Sequence, residues 1–238
     1  MQHPTDRFAG LRSALKPIHP DGWRFIAIAA AVAFVLFFIW QPLGWLGVAA
    51  TLWVASFFRD PWRVSPQTPG LALAPADGEI VAVDTAMPPA ELEMNSGPML
   101  RIAIFMNLLD VHINRAALAG RVVKIAHRDG SYRDARDPES SEANERNGIR
   151  IAAPGGDVAL VQIAGRIARR IRCDLIEGQD VIAGQRIGLI RFGSRAELYL
   201  PNEWRALVAV GQRTVGGETV LAATAEAATA PRTATVTH

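Results

Sequence analysis

The sequence predicts a mainly β domain, folded as a barrel-sandwich, preceded by a transmembrane helical hairpin. Three observations predict it. Five of the six tryptophans, Trp23, Trp40, Trp45, Trp53 and Trp62, fall in one apolar stretch near the N-terminus. Beyond that stretch the apolar residues come in short runs rich in Val and Ile, bounded by Gly, Pro, Asn and Asp. Two glycine-spaced segments also repeat each other late in the chain.

Residues 1–22 are polar, carry Pro4, Pro17 and Pro20, and show no apolar period, which predicts a flexible cytoplasmic lead. Residues 23–60 form the hydrophobic hairpin: two apolar runs, 25–40 and 43–58, are split by Gln41, Pro42 and Gly44. Each run is a little short of the roughly 20 residues that span a bilayer comfortably. Arg7, Arg12, Lys16 and Arg24 precede the runs, and Arg59 and Arg63 follow them. That bias puts both ends on the cytoplasmic side of an inner membrane, with the following domain facing the cytoplasm. A cleaved signal peptide fits poorly, because the stretch ends in FFRDPWR and not in small residues.

Residues 61–221 are the β-rich domain. One polar segment, 127–147, interrupts it and reads as a mobile or functional loop, too charged to pack. The tail 222–238 is mostly Ala and Thr and is expected to be disordered. The net charge is only +2, and lysine occurs only at Lys16 and Lys124, so no nucleic-acid surface is indicated. A single cysteine, Cys173, excludes an internal disulfide and a Cys-based metal site.

The repeat runs from Gly178 to Ile187 and from Gly211 to Val220: Gly-Gln, then Gly followed by Gln or Glu six positions on, then a β-branched aliphatic. Glycines at these offsets supply corners with positive φ. Such units resemble the hammerhead turns of lipoyl and biotinyl carriers and of the duplicated hybrid motif. Neither repeat holds the lysine a carrier needs. Zinc peptidases on the same barrel need clustered histidines, whereas His112 and His127 stand apart, so no metal is expected.

Chemistry then rests on few residues. His3, His19 and His238 lie in the lead and tail and His127 opens the polar loop, so His112 is the natural general base, with alternation placing Asp110, His112 and Asn114 on one strand face. Asp77 sits in a Pro-Ala-Asp-Gly turn, and a turn aspartate is also the ordinary reading of it. Gly193-Ser194 follows one strand-like run and precedes another.

Four pieces occur in one order: PADGEI (75–80), the Val111-His112 strand, NERN (144–147) and RFGS (191–194). Together they resemble phosphatidylserine decarboxylase proenzymes in their short, single-domain form, over about residues 57–221. The resemblance implies that Asp77, His112 and Ser194 form an autoprocessing triad cutting between Gly193 and Ser194. It implies a β chain, 1–193, and an α chain, 194–238, capped by a pyruvoyl group made from Ser194. That ketone forms a Schiff base with the substrate amine and so supplies the electron sink for decarboxylation, with no other coenzyme and no metal. Asp77 would orient and charge His112, which would take the Ser194 hydroxyl proton. The expected substrate is phosphatidylserine in the membrane, with Arg133, Arg136 and Arg146 of the polar loop able to meet its phosphate or carboxylate. Longer relatives carry a second histidine three positions before the catalytic one; here that position is Leu109, so His112 is assigned as the proton donor. Two other readings stand beside this one: a decarboxylase of another serine phospholipid, such as an archaeal-type ether lipid, and a non-catalytic membrane-tethered β-barrel binding module. Oligomeric state, homo-oligomer included, is left open by the sequence.

Overall fold

The computed structural model describes residues 17–166, 170–191, 193–227 and 234–237. The chain divides into two compact units, Met1–Trp62 and Arg63–His238.

In the first unit, α1 (Gly22–Ile39) and α2 (Gln41–Phe57) are joined by Trp40, whose extended backbone and the following Pro42 at the start of α2 separate them. They approach closely because Gly47 has no side chain: a Cβ there would overlap Ala33. Phe37 meets Trp45 edge-on across the junction, with ring centroids 5.6 Å apart. By length and composition α1 is apolar enough to cross a membrane. The lead was expected to be flexible throughout; its residues 1–16 lie outside the described residues, but the end of it is tied down. Ile18 bridges Arg59, the His19 N–H donates to the Phe58 carbonyl at 2.8 Å, and the Asp60 N–H donates to Pro17 at 2.7 Å.

The second unit is mainly β, as the Val- and Ile-rich runs predict. Its strands in chain order are β1 (Arg63–Pro66), β2 (Leu71–Leu73), β3 (Gly78–Ala86), β4 (Met99–Met106), β5 (Ile113–Arg115), β6 (Gly120–Arg128), β7 (Arg146–Ala153) and β8 (Gly156–Ala164). They continue with β9 (Ile171–Cys173), β10 (Asp180–Val181), β11 (Arg186–Ile190), β12 (Ser194–Leu200), β13 (Arg205–Ala206), β14 (Arg213–Thr214), β15 (Val220–Ala223) and β16 (Ala234–Thr237). Among the described residues, one curled antiparallel sheet of eight strands runs β10-β6-β7-β8-β12-β4-β3-β14, flanked by two three-stranded sheets, β5-β11-β9 and β13-β15-β2. β12 lies between β8 and β4, and all seven of its residues are buried. Ala196, Leu198 and Leu200 face the main core with Ile102, Ile104, Ile149 and Leu160. Arg195, Glu197 and Tyr199 face the other way, where Glu197 accepts from Ser141 and Tyr199, each at 2.7 Å, and Arg195 Nε lies 2.7 Å away as an ion pair.

The repeat is the backbone of this architecture. Gly178, Gly184, Gly211 and Gly217 all take positive φ, between 78° and 89°. Gly178 and Gly211 donate to the carbonyls of Val122 and Ile80, and Gly184 and Gly217 to those of Ala116 and Ala74. Each turn therefore clasps the same seven-residue unit, Ala74–Ile80 or Ala116–Val122, and these units cross-bond reciprocally: Leu73 N–H to Ala117 O at 2.7 Å, Arg115 N–H to Pro75 O at 2.8 Å. Both β3 and β6 carry a register shift just after these units, at Ile80/Ala82 and Val122/Lys124.

Two expectations are corrected here. Segment 127–147 packs: Asn144, fully buried, donates to the carbonyls of Arg133 and Ala164, and a short helix α3 (Ser140–Ala143) closes the turn. Some of its charges are paired, Arg133 with Glu139 inside the segment and Arg146 with Glu91 outside it, which lowers the cost of folding it. The tail is not disordered throughout, because β16 pairs antiparallel with β1 from Arg63↔Thr237 to Pro66↔Ala234. Backbone pairing needs no large apolar side chains, which is why an Ala/Thr composition concealed it. Positions 228–233 and 238 lie outside the described residues.

Candidate active site

Ser194 opens β12, fully buried, paired with Met106 of β4 on one side and Ala164 of β8 on the other. Its hydroxyl points at the Met106 thioether, Oγ to Sδ 3.7 Å. Gly193, just before it, has φ +67°, a conformation costly for any residue with a Cβ.

His112 is 2% exposed and reaches this junction. Its Nε2 accepts the Gly193 N–H at 3.2 Å, and its Nδ1 lies 3.0 Å from the Asp110 carbonyl. A backbone N–H can only donate, so Nε2 carries the lone pair and Nδ1 the proton, given to Asp110 O. The basic nitrogen of the imidazole is thus aimed at the Gly193-Ser194 segment. His112 itself lies just ahead of β5, so the expected alternation along one strand does not hold: residues 107–110 form a turn. In that turn Asp110 Oδ2 accepts the Asn107 N–H at 2.9 Å, Asn107 Oδ1 accepts the Leu109 N–H at 2.8 Å, and Arg213 pairs with Asp110 Oδ1. Asp110, His112 and Asn114 are nonetheless all buried.

Asp77 lies between β2 and β3. Both its carboxylate oxygens accept from Arg63 Nη2, at 2.9 and 2.8 Å, and Oδ1 also accepts the Gly216 N–H at 2.7 Å. Burial raises its pKa above the ordinary carboxylate range, against the pull of the Arg63 charge and the Gly216 hydrogen bond; the nearby Asp110 charge adds to the rise. The described bonds therefore join His112 to the cleavage segment and Asp77 to Arg63. The matching position in the second repeat unit is Ala119, so only one half of the duplicated frame carries the charge.

A cavity of about 490 Å³ opens on Gly193, lined by the apolar Phe105, Leu108 and Leu109 and by the charged Asp134, Arg136 and Arg166. Of the three loop arginines, only Arg136 is here, its guanidinium 4.6 Å from the Phe105 ring centroid. Arg133 and Arg146 line a different cavity, where Arg133 pairs with Glu139 and Arg146 with Glu91 at 2.5 Å. Among the described residues, no three His, Cys, Asp or Glu side chains converge on a point where a metal could sit.

Two neighbours of the site escaped the sequence reading. Gly165, directly after β8, lies so close to the Gly193 carbonyl oxygen that a Cβ there would overlap it, and Arg63 reaches Asp77 across fourteen residues of sequence. Asp110 was singled out for its side chain, but it meets His112 through its backbone carbonyl. A glycine directly after a strand was the one available signal; a long-range ion pair carries none.

The family model described as phosphatidylserine decarboxylase matches residues 50–222. A phosphatidylserine decarboxylase proenzyme of Cereibacter sphaeroides is 48% identical over 213 residues, covering 89% of this chain and 92% of that protein. One of Nitrobacter winogradskyi is also 48% identical over 213 residues, covering 89% of this chain and 86% of that protein.

Proposed function

Because this chain belongs to the phosphatidylserine decarboxylase family, we propose that it cuts itself between Gly193 and Ser194 and, with the resulting pyruvoyl group, decarboxylates phosphatidylserine to phosphatidylethanolamine and CO2. Membership makes it a carboxy-lyase, which sets aside the non-catalytic binding module. The observation that carries the self-cutting step is the His112 Nε2 contact with the Gly193 N–H, beside a Gly193 held at φ +67°.

His112 Nε2 takes the Ser194 hydroxyl proton as Oγ attacks the Gly193 carbonyl, and the acyl group moves from nitrogen to oxygen. Asp77, once ionised, contributes negative charge toward the imidazolium that forms, with Arg63 favouring the carboxylate against its burial. Loss of the Ser194 α-proton then breaks the Cβ–Oγ bond, releasing Gly193 as a carboxylate. The dehydroalanine left behind hydrolyses to a ketone with release of ammonia. The buried Ser194, the glycine before it and the adjoining cavity fit such a group. A pyruvoyl ketone supplies an electron sink for the charge left when CO2 departs. Leu109 stands where longer relatives have a histidine, so His112 is the residue that returns a proton to the substrate Cα. On this reading the chain acts at an inner membrane, anchored through its apolar N-terminal stretch, of which α1 is long and apolar enough to cross, and the arginines that flank the stretch favour a cytoplasmic β unit.

On a denaturing gel the wild-type chain should run as two bands and Ser194→Ala as one. A wild type that stays whole while turning over phosphatidylserine rules the reading out.

A further inference from the structure

We propose that Arg136 and Arg166 form a clamp for the phosphodiester of the lipid headgroup, with Arg166 a specificity-determining residue; this rests on the decarboxylase reading above. The cavity beside Gly193 has a mixed lining. Phe105, Leu108 and Leu109 supply apolar surface, and Arg136, Arg166 and Asp134 supply charge, with the Arg136 guanidinium stacked on Phe105. An amphiphile whose polar head and glycerol stem must lie side by side finds both kinds of surface here.

The two guanidiniums come from elements packed around the cleavage segment. Ala135 is buried between Asp134 and Arg136, and a Cβ built on Gly165 would touch Ala135 Cβ at 3.3 Å as well as crowd the Gly193 carbonyl. The Arg136 loop, the Gly165-Arg166 end of β8 and the scissile residue thus converge. Arg136 is held in place: its N–H donates to Asp134 Oδ1 at 2.9 Å, and its guanidinium lies over Phe105. Neither Arg136 nor Arg166 has a carboxylate partner described, whereas Arg133 and Arg146 are paired in the other cavity. Two cations and Asp134 leave the charged lining with one net positive charge, opposite to a phosphodiester.

Phosphate, not carboxylate, is the group for this clamp. Decarboxylation moves the carboxylate charge toward Cα, and a guanidinium fixed on that carboxylate would hold the charge back. The phosphate keeps its charge from substrate to product, so contacts to it bind ground and transition states alike and appear in KM.

The test uses Arg166→Gln and Arg136→Gln in the full-length chain, purified after processing. Both should show two bands like the wild type, with KM for phosphatidylserine in mixed micelles raised about tenfold and kcat within about twofold; Arg166→Lys should recover part of the loss. In the uncut Ser194→Ala chain, calorimetry with glycerophosphoserine should show binding about tenfold weaker once Arg166→Gln is added, while binding of L-serine, which lacks the phosphate, stays the same. An unchanged KM in cut Arg166→Gln enzyme, or an equal loss for L-serine, overturns the clamp. A single uncut band in wild type overturns the underlying reading instead.

Discussion

Asp77 is held between two opposing influences, burial that favours its protonated form and Arg63 that favours the carboxylate, with burial the larger. Between the ordinary carboxylate pKa and the raised one, the folded chain keeps a proton that the unfolded chain has released. Stability therefore falls as pH rises through that window and is level above it. Self-cutting that needs the ionised Asp77 should show the opposite trend, rising with pH as Asp77 loses its proton. Arg63→Gln removes the main attraction on the carboxylate, so the midpoint of the pH–rate curve for newly translated precursor should move upward. A midpoint unmoved by that change would separate Asp77 from the chemistry. Gly165→Ala should block cutting while the domain still folds, because the new methyl meets the Gly193 carbonyl; normal two-band processing of that variant would show the carbonyl is not confined there. His112 and Gly193-Ser194 could be picked out as candidates because ordered motifs carry them, and the structure brings them into contact. The Arg63–Asp77 pair and the Asp110 carbonyl contact could not, since a long-range ion pair and a backbone carbonyl leave no local pattern.

At the scale of elements, the duplication explains both what could be read and what could not. Gly178, Gly184, Gly211 and Gly217 were visible since positive φ demands glycine, and all four take it. Their partners, Ala74–Ile80 and Ala116–Val122, were missed because many small and aliphatic residues fill such positions equally well. Segment 127–147 looked unable to pack because sequence alone does not pair Arg133 with Glu139 or bury Asn144. β16 is tied in by Thr237, whose hydroxyl lies 2.8 Å from Ser65 Oγ and accepts from the fully buried Arg115 at 3.2 Å. Thr237→Val keeps the shape but removes that oxygen, and should cost about 1–2 kcal/mol, read as a lower thermal midpoint. No change in the midpoint would mean that β16 does not seat against β1.

At the scale of the whole molecule, an apolar helical unit precedes a β unit whose eight-stranded sheet is centred on the strand that starts at Ser194. After cutting, β12 through β16 would belong to the small chain, and its retention follows from pairing: β12 lies between β4 and β8, β14 pairs with β3, β15 with β2, and β16 with β1. The two chains should therefore copurify without a covalent link and separate only on denaturation. Intact-mass spectrometry of the denatured, catalytically active protein tests this most directly. The prediction is two species, one ending at Gly193 and one spanning 194–238, the latter lighter by one ammonia than a chain beginning with serine and closed to Edman degradation. A small chain with a free serine amine, or a single full-length mass in a fully active preparation, would contradict it.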